Sequence, residues 1–179
     1  SIAVYDWENK KVLANSKGDT KRIFNCKYNP HDGRIVTVGE QHVKFWVMEN
    51  GYLVGKNGVF GRLGKPSTVL SIAFGEDGST FTGTQHGTIY QWADGGEECI
   101  QKFDFVHEGP VHDIFVTEDY IITGGNDGKV NFFTQYMEKV FAIDMSKVAE
   151  SIIDDQGKPV CYYDGRAPCV KSLYLSDVQ

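Results

Sequence analysis

The sequence has little of what marks a membrane-spanning, secreted or metal-binding protein. No apolar run among its 179 residues approaches the roughly 20 that a transmembrane helix needs, so we expect no membrane partner. Residues 1–6 carry no basic segment followed by a long apolar one, and no Asn-x-Ser/Thr sequon occurs. We therefore expect neither a signal peptide nor secretion. Proline occurs five times against 20 glycines, a ratio that favours many tight turns.

Cysteine is scarce and scattered. The four cysteines form no C-x-x-C pair and have no histidine cluster beside them; they are Cys26, Cys99, Cys161 and Cys169. A disulfide framework or a zinc site needs closely spaced ligands. We therefore expect the reduced thiols of a cytoplasmic protein, with no metal and no cofactor.

Positively charged residues are fewer than negatively charged ones. The formal net charge of −6 divides into +3 over residues 1–47 (eight Lys/Arg against five Asp/Glu) and −9 over the rest (ten against nineteen). Phosphate backbones are bound through basic stripes, so the acidic majority argues against nucleic acid as a partner. The mildly basic first quarter could face an acidic protein surface, although its individual residues are better explained by an ordinary solvated face.

What the sequence does contain is an internal repeat. A six-residue pattern (apolar, any, small polar, apolar, any, apolar) occurs four times, at residues 23–28, 69–74, 111–116 and 170–175. After the first three copies come a second apolar run with Thr and Gly, a tight turn, and a third run that ends in an aromatic residue. The aromatic positions are spaced 41, 46 and 41 residues apart, at Tyr5, Trp46, Trp92 and Phe133.

The repeat predicts an all-β fold. Alternating apolar and β-branched residues between Gly, Asn and Asp turns indicate antiparallel strands. Four such strands in every ~40–45 residues, closing on Trp or a substitute, are the signature of WD-repeat β-propeller blades. The prediction is a partial ring of antiparallel four-stranded blades. A closed ring needs about 4–8 blades, so we expect a longer polypeptide to supply the remainder of the propeller.

The spacing also predicts how the chain is divided. We assign all of residues 1–179 to part of one propeller, in this order: 2–16, the end of a blade; 22–56, 68–104 and 110–145, three complete blades; 146–168, an inserted loop; 169–179, the start of the next blade.

The third repeat lies nearest to the ideal WD pattern. Its His107, Thr123 and Asp127 occupy positions at which WD repeats build a buried hydrogen-bond network with the strand Trp. Phe133 stands in place of that Trp and lacks its N–H donor. We therefore treat these four residues, with Tyr5, Trp46 and Trp92, as structural blade markers.

The other two complete repeats depart further, because Gln41 or His86 replaces the turn aspartate. We therefore expect the network to be incomplete there. A His–Asp pair also occurs in enzymes that use general acid–base catalysis. Blade architecture explains His107 and Asp127, however, and no nucleophile accompanies them in any motif. We expect no catalytic residues and no enzyme activity.

A glycine-rich segment, residues 55–66, superficially resembles a phosphate-binding loop. Counting back from its final Gly-Lys pair places Val59 where the motif needs its first Gly, and Pro66 replaces Ser/Thr. No helix pattern comes after it that would direct an N-terminal dipole at a phosphate. We reject nucleotide binding and expect a loop between blades that emerges, like the 146–168 insertion, on the face of the tight turns. Such loops often carry partner contacts, and loop drift without function is an equal alternative.

Several runs resemble the echinoderm microtubule-associated protein-like family. They are residues 19–24, 36–39, 42–46, 56–61, 73–75, 81–84, 123–128 and 141–144. The Gly-Val-Phe-Gly element at 58–61 is more diagnostic than any single Trp. The resemblance implies tandem propellers that bind tubulin or microtubules in the cytoskeleton, cilia included.

The resemblance and the charge support two functional hypotheses. The first is a non-enzymatic cytoskeletal scaffold in the cytoplasm, with the ciliary axoneme among its locations, that binds tubulin or microtubules. Tubulin's surface is acidic, so cations and turn residues are the expected contacts: Lys56, Arg62, Lys65, His42, Gln85 and His86. The alternative is a generic WD-repeat adaptor for another protein complex, which the net charge of −9 beyond residue 47 favours.

Overall fold

The structure, a computed structural model, describes residues 1–151, 153, 155–158 and 168–174. They form fourteen strands and one short helix, in this order: β1 (Ile2–Asp6), β2 (Lys11–Ser16), β3 (Ile23–Tyr28), β4 (Ile35–Gly39), β5 (His42–Glu49), β6 (Tyr52–Asn57), β7 (Val69–Phe74), β8 (Thr80–Thr84), β9 (Ile89–Trp92), β10 (Cys99–Phe103), β11 (Val111–Val116), β12 (Ile121–Gly125), β13 (Lys129–Phe133), β14 (Lys139–Asp144) and α1 (Met145–Ser151).

The strands form three antiparallel four-stranded meanders, in which each strand pairs with the next along the chain. We call β3–β6 the first blade, β7–β10 the second and β11–β14 the third. The hairpin β1–β2 joins the first blade through one parallel bridge between Asn15 and Tyr52. The predicted fold class, a partial ring of antiparallel four-stranded blades, is confirmed.

Each blade presents one face to its neighbour, because side chains alternate across a strand and the apolar set lies on one side. Between the first and second blades the core contains Val36, Val38, Phe45, Ile72 and Trp92. Between the second and third it contains Phe81, Ile89, Ile114, Ile121 and Phe133. The ring is thus held together by sheet-on-sheet packing.

The small polar residue of the six-residue pattern ties the first strand of one blade to the next segment of the ring. Three hydrogen bonds repeat this link: Asn25 Nδ2 to Leu70 O (3.3 Å), Ser71 Oγ to Val111 O (3.0 Å), and Leu173 N to Asp113 Oδ2 (2.8 Å). The pattern therefore marks a contact between blades, which its presence in the sequence did not reveal.

The structure describes two regions after β14 only in part. The stretch expected to be an inserted loop, 146–168, begins inside α1, and most of its remaining residues lie outside the described ranges. Residues 169–179 are predicted to start the next blade, and their described part, 169–174, packs on the third blade, where Val170 N donates to Gly125 O (2.9 Å). No strand is assigned to them, because a β-ladder needs a neighbouring strand and none pairs there within the described chain.

Within the described ranges, no helix is long and apolar enough to cross a bilayer. Cys26, Cys99 and Cys169 are free thiols, and Cys161 lies outside the described residues. No group of three or more His, Cys, Asp or Glu side chains is placed to hold a metal ion in this part of the chain.

Candidate partner-binding surface

The sequence predicts that the glycine-rich segment, residues 55–66, emerges at the turn end of the ring. The structure does not place it there. It starts beside residues 97–99, at the opposite end of the second blade, where Val59 N donates to Glu97 O (2.8 Å) and Val59 O accepts from Cys99 N (2.9 Å). It reaches the turn end only at Thr68, whose carbonyl accepts from Gln85 N (2.9 Å). The segment therefore runs along the outer side of the second blade.

Phe60 anchors this segment. Its side chain is buried and packs edge-on against Tyr90 (5.1 Å between ring centroids) and Trp92 (4.9 Å). Gly58 is required beside it, since a Cβ there would lie 2.7 Å from the Trp92 ring. The Gly-Val-Phe-Gly element is thus a plug between two blades. Sequence reasoning missed Phe60 because it treated the whole segment as a surface loop.

The three candidate cations lie on or beside this anchored segment. Arg62 and Lys65 are exposed, and neither forms an ion pair within the described residues. Lys56 has a side chain 69% exposed whose Nζ lies 3.4 Å from Glu97 Oε1. Arg62 and Lys65 therefore present uncompensated positive charge on a fixed backbone, whereas Lys56 is partly neutralised.

The turn candidates of the second blade lie at the other end. His86 is exposed and Gln85 half-buried, with Gln85 Nε2 3.0 Å from His86 Nε2. Thr84 Oγ1 shapes the turn by accepting from the main-chain N–H of His86 (3.3 Å) and Thr88 (3.1 Å). These two side chains are available at the surface, but at the opposite end of the blade from the start of the cationic segment.

His42 is not a surface residue, so its assignment as a partner contact is wrong. It is only 5% exposed. Its Nε2 lies 2.8 Å from Thr37 Oγ1 and its Nδ1 3.1 Å from Asp19 Oδ2, while Trp46 Nε1 donates to Thr37 Oγ1 (2.8 Å). The first blade therefore contains the full Trp–Thr–His–Asp network, and the expectation that it would be incomplete is also wrong here.

The geometry indicates a neutral His42. Burial lowers its pKa, although the Asp19 carboxylate opposes this. A carboxylate only accepts hydrogen bonds, so Nδ1 carries the proton and Nε2 accepts from the Thr37 hydroxyl. The Thr37 oxygen in turn accepts from Trp46, so each member of the network has a partner. The main-chain N–H of Lys21 lowers the pKa of Asp19, which keeps it ionised.

The third blade builds the same chain with histidine and aspartate exchanged. His107, which precedes the blade's first strand, has Nδ1 2.9 Å from Asp127 Oδ1 in the turn and Nε2 2.8 Å from Thr123 Oγ1. Burial lowers the pKa of His107. Burial raises that of Asp127, but hydrogen bonds from Glu108 N–H and His107 outweigh this, so its pKa is lowered. These contacts give His107 and Asp127 an architectural role.

The second blade keeps only one link, from Trp92 Nε1 to Thr82 Oγ1 (2.9 Å). Trp46, Trp92 and Phe133 are all buried. Tyr5, the fourth aromatic marker, lies on β1 and is 54% exposed. Asp19 was missed altogether, because the usual WD pattern places His before the first strand and Asp in the turn. The joint presence of Thr37, Trp46 and a turn histidine was the signal that could have found it.

An acidic cleft lies between the second and third blades, at the end away from the β8–β9 and β12–β13 turns. Its volume is about 440 Å³, and its lining includes Glu76, Asp77, Glu118 and the exposed ring of Tyr136. No Lys or Arg of the described chain lines it. The chain therefore offers a basic outer segment and an acidic cleft as separate surfaces.

Known proteins with similar sequences are microtubule-associated by name. The chain is 36% identical over 136 residues to the 77 kDa echinoderm microtubule-associated protein of Strongylocentrotus purpuratus, covering 74% of this chain and 20% of that protein. It is 33% identical over 132 residues to human echinoderm microtubule-associated protein-like 1, covering 72% and 16%. It is 29% identical over 162 residues to the mouse echinoderm microtubule-associated protein-like 2, covering 89% and 24%. The chain thus spans about a fifth of the length of these relatives.

Solved structures agree on the fold. The WD40 repeats of RRP9 superpose with a TM-score of 0.61 at 17% identity, over 71% of this chain and 40% of that one. The computationally designed Ika8 protein gives 0.64 at 17% identity, over 97% and 46%. The family model described as the echinoderm microtubule-associated protein first beta-propeller matches residues 1–162. The chain therefore belongs to the echinoderm microtubule-associated protein family and falls within its first β-propeller.

Proposed function

We propose that this chain is part of a non-enzymatic cytoskeletal scaffold that binds tubulin or the microtubule lattice through a cationic segment, residues 56–65, which begins at the end of β6. The names of the relatives motivate the partner. The observation that carries the site is the exposure of Arg62 and Lys65, without ion-pair partners in the described chain, on a backbone anchored by Phe60. Lys56 joins them once it is released from Glu97.

Electrostatics favours this segment over the rest of the surface. The net charge of −6 repels an acidic partner at long range, so binding requires a local cluster of positive charge. An anchored backbone lowers the conformational entropy lost on binding, which a free loop would lose in full. Exposed charge pairs are screened over about 8 Å at physiological salt, so the interaction should weaken as salt rises.

The test is co-pelleting of the full-length protein with microtubules, with binding to free tubulin measured in parallel. A triple reversal of the segment, Lys56→Glu, Arg62→Glu and Lys65→Glu, should weaken binding about tenfold, since each exposed ion pair contributes roughly 0.2–1 kcal/mol and reversal adds repulsion from an acidic partner. The matched control reverses three exposed lysines on or beside the third blade, Lys139, Lys147 and Lys171. It makes the same change in net charge away from the segment.

Equal losses in both variants would attribute binding to net charge alone. Unchanged pelleting of the segment variant would remove these three residues from the interface. Binding to the lattice but not to free tubulin, or the reverse, would separate the two forms of the partner.

The location and the extent of the domain form part of the same proposal. We assign the protein to the cytoplasmic cytoskeleton and include the ciliary axoneme. A tagged full-length protein that stays off axonemes in ciliated cells would exclude the latter. Within one propeller we propose 22–56, 68–104 and 110–145 as complete blades, with 2–16 and 169–179 as parts of the adjoining ones.

An exposed aromatic cluster on the third blade supports the proposal that the rest of the propeller packs there. Phe132 and Phe141 stack at 4.1 Å with a 14° interplanar angle, and Tyr120 lies edge-on to both. Phe141 and Tyr120 are nevertheless solvent-exposed. Apolar faces of this kind are buried between the other blades, so a further blade is the expected occupant.

The acidic cleft favours a second candidate function, an adaptor for a basic partner other than tubulin. Glu76, Asp77 and Glu118 would attract a Lys- or Arg-rich segment, and Tyr136 offers a ring face to a cation. Glu76→Gln with Glu118→Gln should weaken capture of such a partner and leave microtubule pelleting unchanged. The opposite pattern would discard the adaptor hypothesis.

A further inference from the structure

An open groove lies between the second and third blades, where the chain leaves β10 and passes the β13–β14 turn. Its volume is about 390 Å³, a size typical of ligand-binding clefts. Two charged residues, Asp104 and Lys139, contribute to its lining. The rest of the lining is apolar: Phe103, Phe105, Val106, Phe133 and Met137.

The boundary between the first and second blades contains an equivalent place. Trp92 pairs with Cys99 across β9 and β10, as Phe133 pairs with Lys139 across β13 and β14. Both ladders then skip the next residue of the last strand, so their registers agree. Phe133 and Lys139 of the third blade are therefore the counterparts of Trp92 and Cys99 in the second.

At that first boundary the chain itself supplies an occupant. Val59 forms main-chain hydrogen bonds with Glu97 and Cys99, and the ring of Phe60 packs edge-on against Trp92 with centroids 4.9 Å apart. The residue before the ring thus lies beside Cys99, at the place that Lys139 takes in the third blade. A phenyl ring on an extended segment is the group that this kind of site accepts.

At the second boundary the corresponding ring points into solvent. Asn57 on β6 and Lys102 on β10 hold equivalent places in their ladders, and Phe60 and Phe105 come three residues after them. Phe60 is buried, whereas Phe105 is 94% exposed. The backbone of Phe105 also has a φ of +59°, which a bulky residue rarely adopts.

The residues on either side hold Phe105 in this orientation. Asp104 Oδ2 lies 2.8 Å from Lys102 Nζ, and Val106 N donates to a main-chain carbonyl of the β8–β9 turn (2.9 Å). Phe105 therefore lines the groove without filling it, and the apolar surface of Phe133 and Met137 stays open to a ring from elsewhere.

The charges at the rim indicate what accompanies such a ring. Asp104 is paired with Lys102, whereas Lys139 is exposed and forms no ion pair among the residues that the structure describes. Glu138, next to it, does not line the groove. Charge complementarity therefore favours an acidic residue at the position before the ring.

We propose that this groove binds an aromatic side chain, preceded by aspartate or glutamate, on an extended segment of a partner protein. The ring packs on Phe133 and Met137, as Phe60 packs on Trp92, and the acidic side chain pairs with Lys139. Contacts of a ring with another ring and with a thioether favour an aromatic over an aliphatic side chain. The site is separate from the cationic segment and does not depend on tubulin as the partner.

The direct test is NMR of the Met137 methyl group in the full-length protein, with isotope-labelled methionine methyl groups. The signal is assigned by its loss in Met137→Leu. Three blocked peptides serve as probes: Ac-Gly-Glu-Phe-Gly-NH₂, Ac-Gly-Glu-Leu-Gly-NH₂ and Ac-Gly-Lys-Phe-Gly-NH₂. We expect a saturable ring-current shift with the first, about two- to tenfold weaker binding of the leucine peptide, and about two- to fivefold weaker binding of the lysine peptide.

A reversal of charge tests the acidic position. Lys139→Glu should invert the order of the two phenylalanine peptides, because the lysine peptide then meets an opposite charge and the glutamate peptide a like one. Lys147→Glu reverses another exposed lysine, on α1, and should leave the order unchanged.

Removal of an exposed ring tests the wall of the groove. Phe105→Ala should weaken binding of the glutamate–phenylalanine peptide about two- to tenfold, because one aromatic contact is lost. Tyr136→Ala removes a second exposed ring, 86% exposed, which lines the acidic cleft instead, and it should leave binding unchanged. Both rings are exposed, so neither change should unfold the protein.

Four results would overturn the proposal. The absence of a saturable shift would mean that no outside ring enters the groove, and equal binding of the leucine peptide would mean that the site does not select a ring. An unchanged peptide order in Lys139→Glu would remove the acidic position. Tighter binding in Phe105→Ala would make Phe105 itself the occupant of the groove.

Discussion

The first and third blades build the same buried chain of hydrogen bonds from opposite ends. In the first, aspartate precedes the blade (Asp19) and histidine occupies the turn (His42). In the third, His107 precedes the blade and Asp127 occupies the turn. The comparison shows that a donor–acceptor chain ending on a strand threonine can be built with the histidine and the aspartate in either order.

The first and third blades also differ at the threonine end of this hydrogen-bond chain. Trp46 donates its indole N–H to Thr37, whereas Phe133 has nothing to donate to Thr123. A groove of about 390 Å³ lies against Phe133. The third blade therefore keeps the polar chain but lacks one bond and some packing.

The largest expected effect comes from removing the strand aromatic in each blade. Trp46→Ala and Phe133→Ala should each lower the free energy of unfolding by about 3–5 kcal/mol, because a lost buried ring leaves a cavity. Trp46→Ala should lose more, since Thr37 also loses a donor. Native-state hydrogen exchange of β4 and β12, measured in the full-length protein, reports each blade separately.

Tyr5→Ala is the control for that measurement. Its ring is exposed, so the variant should lose no more than about 0.5 kcal/mol. A loss at Tyr5 as large as at Trp46 would show that burial does not govern these aromatic positions.

Exchanging the two residues of the first blade tests whether their order matters. Asp19→His alone places two histidines together, and His42→Asp alone places two carboxylates together, so each should cost about 2 kcal/mol. The double variant restores a His–Asp pair in the order of the third blade, and it should lie within about 1 kcal/mol of the original protein. Hydrogen exchange of β4 and β5 in all four proteins completes the cycle.

If the stability losses of the two single variants simply add in the double variant, the two residues cannot be exchanged. Such losses would mean that the backbone around Asp19 and His42 accepts only one order, and that the third blade owes its own order to a different local geometry.

Exchanging Trp and Phe between the two blades tests the effect of the indole N–H that Phe133 lacks. Trp46→Phe should cost about 1–2 kcal/mol, because the indole contact with Thr37 is lost and the ring is smaller. Phe133→Trp should be neutral or stabilise by up to about 1 kcal/mol, because the neighbouring groove has room and Thr123 can accept. Hydrogen exchange of the same two strands measures both variants. A loss on Phe133→Trp would show that the larger ring does not fit.

The smallest effect is a pH dependence that both blades share. Burial holds the pKa values of His42 and His107 below their ordinary 6.5 in the folded protein. The unfolded state therefore binds more protons below that pH, so stability is constant above it and falls on acidification towards the folded pKa values. The lowered pKa values of Asp19 and Asp127 predict a further loss below about pH 4.

Urea unfolding of the full-length protein between about pH 7.5 and 5 measures this slope, since the window spans the unfolded histidine pKa. His42→Gln and His107→Gln should each flatten it. His86→Gln, which replaces an exposed histidine, should leave it unchanged. An unchanged slope in both buried variants would show that other groups control the acid response.

Local patterns in the sequence predicted the strands, the turns and the ring of blades. Alternation along a strand and glycine in turns are properties of a few neighbouring residues, so they can be read without the fold. They also identified Thr123, His107 and Asp127, because this trio follows the usual order. The Asp19–His42 pair was missed for the same reason, since its order is reversed and only spatial contact joins it.

For residues outside that pattern, the sequence did not show which lie at the surface and which lie in the interior. Phe60 lies in a glycine-rich stretch that resembles a loop, and it is buried only because the segment folds back along the second blade. His42 directly follows the β4–β5 turn, where a surface position is expected, and it is buried beside Asp19 and Thr37. Arg62 and Lys65 lie in the same glycine-rich stretch and are exposed.

The sequence by itself therefore determined the blades, their spacing and the family, because these depend on residues close together in the chain. The tertiary structure alone decided that Phe60 plugs a blade boundary, that His42 is structural, and that Arg34 is buried with a hydrogen bond to Gly96 of the second blade. Each of these depends on which blade packs against which. Packing between blades brings together residues distant in sequence, and no local pattern records it.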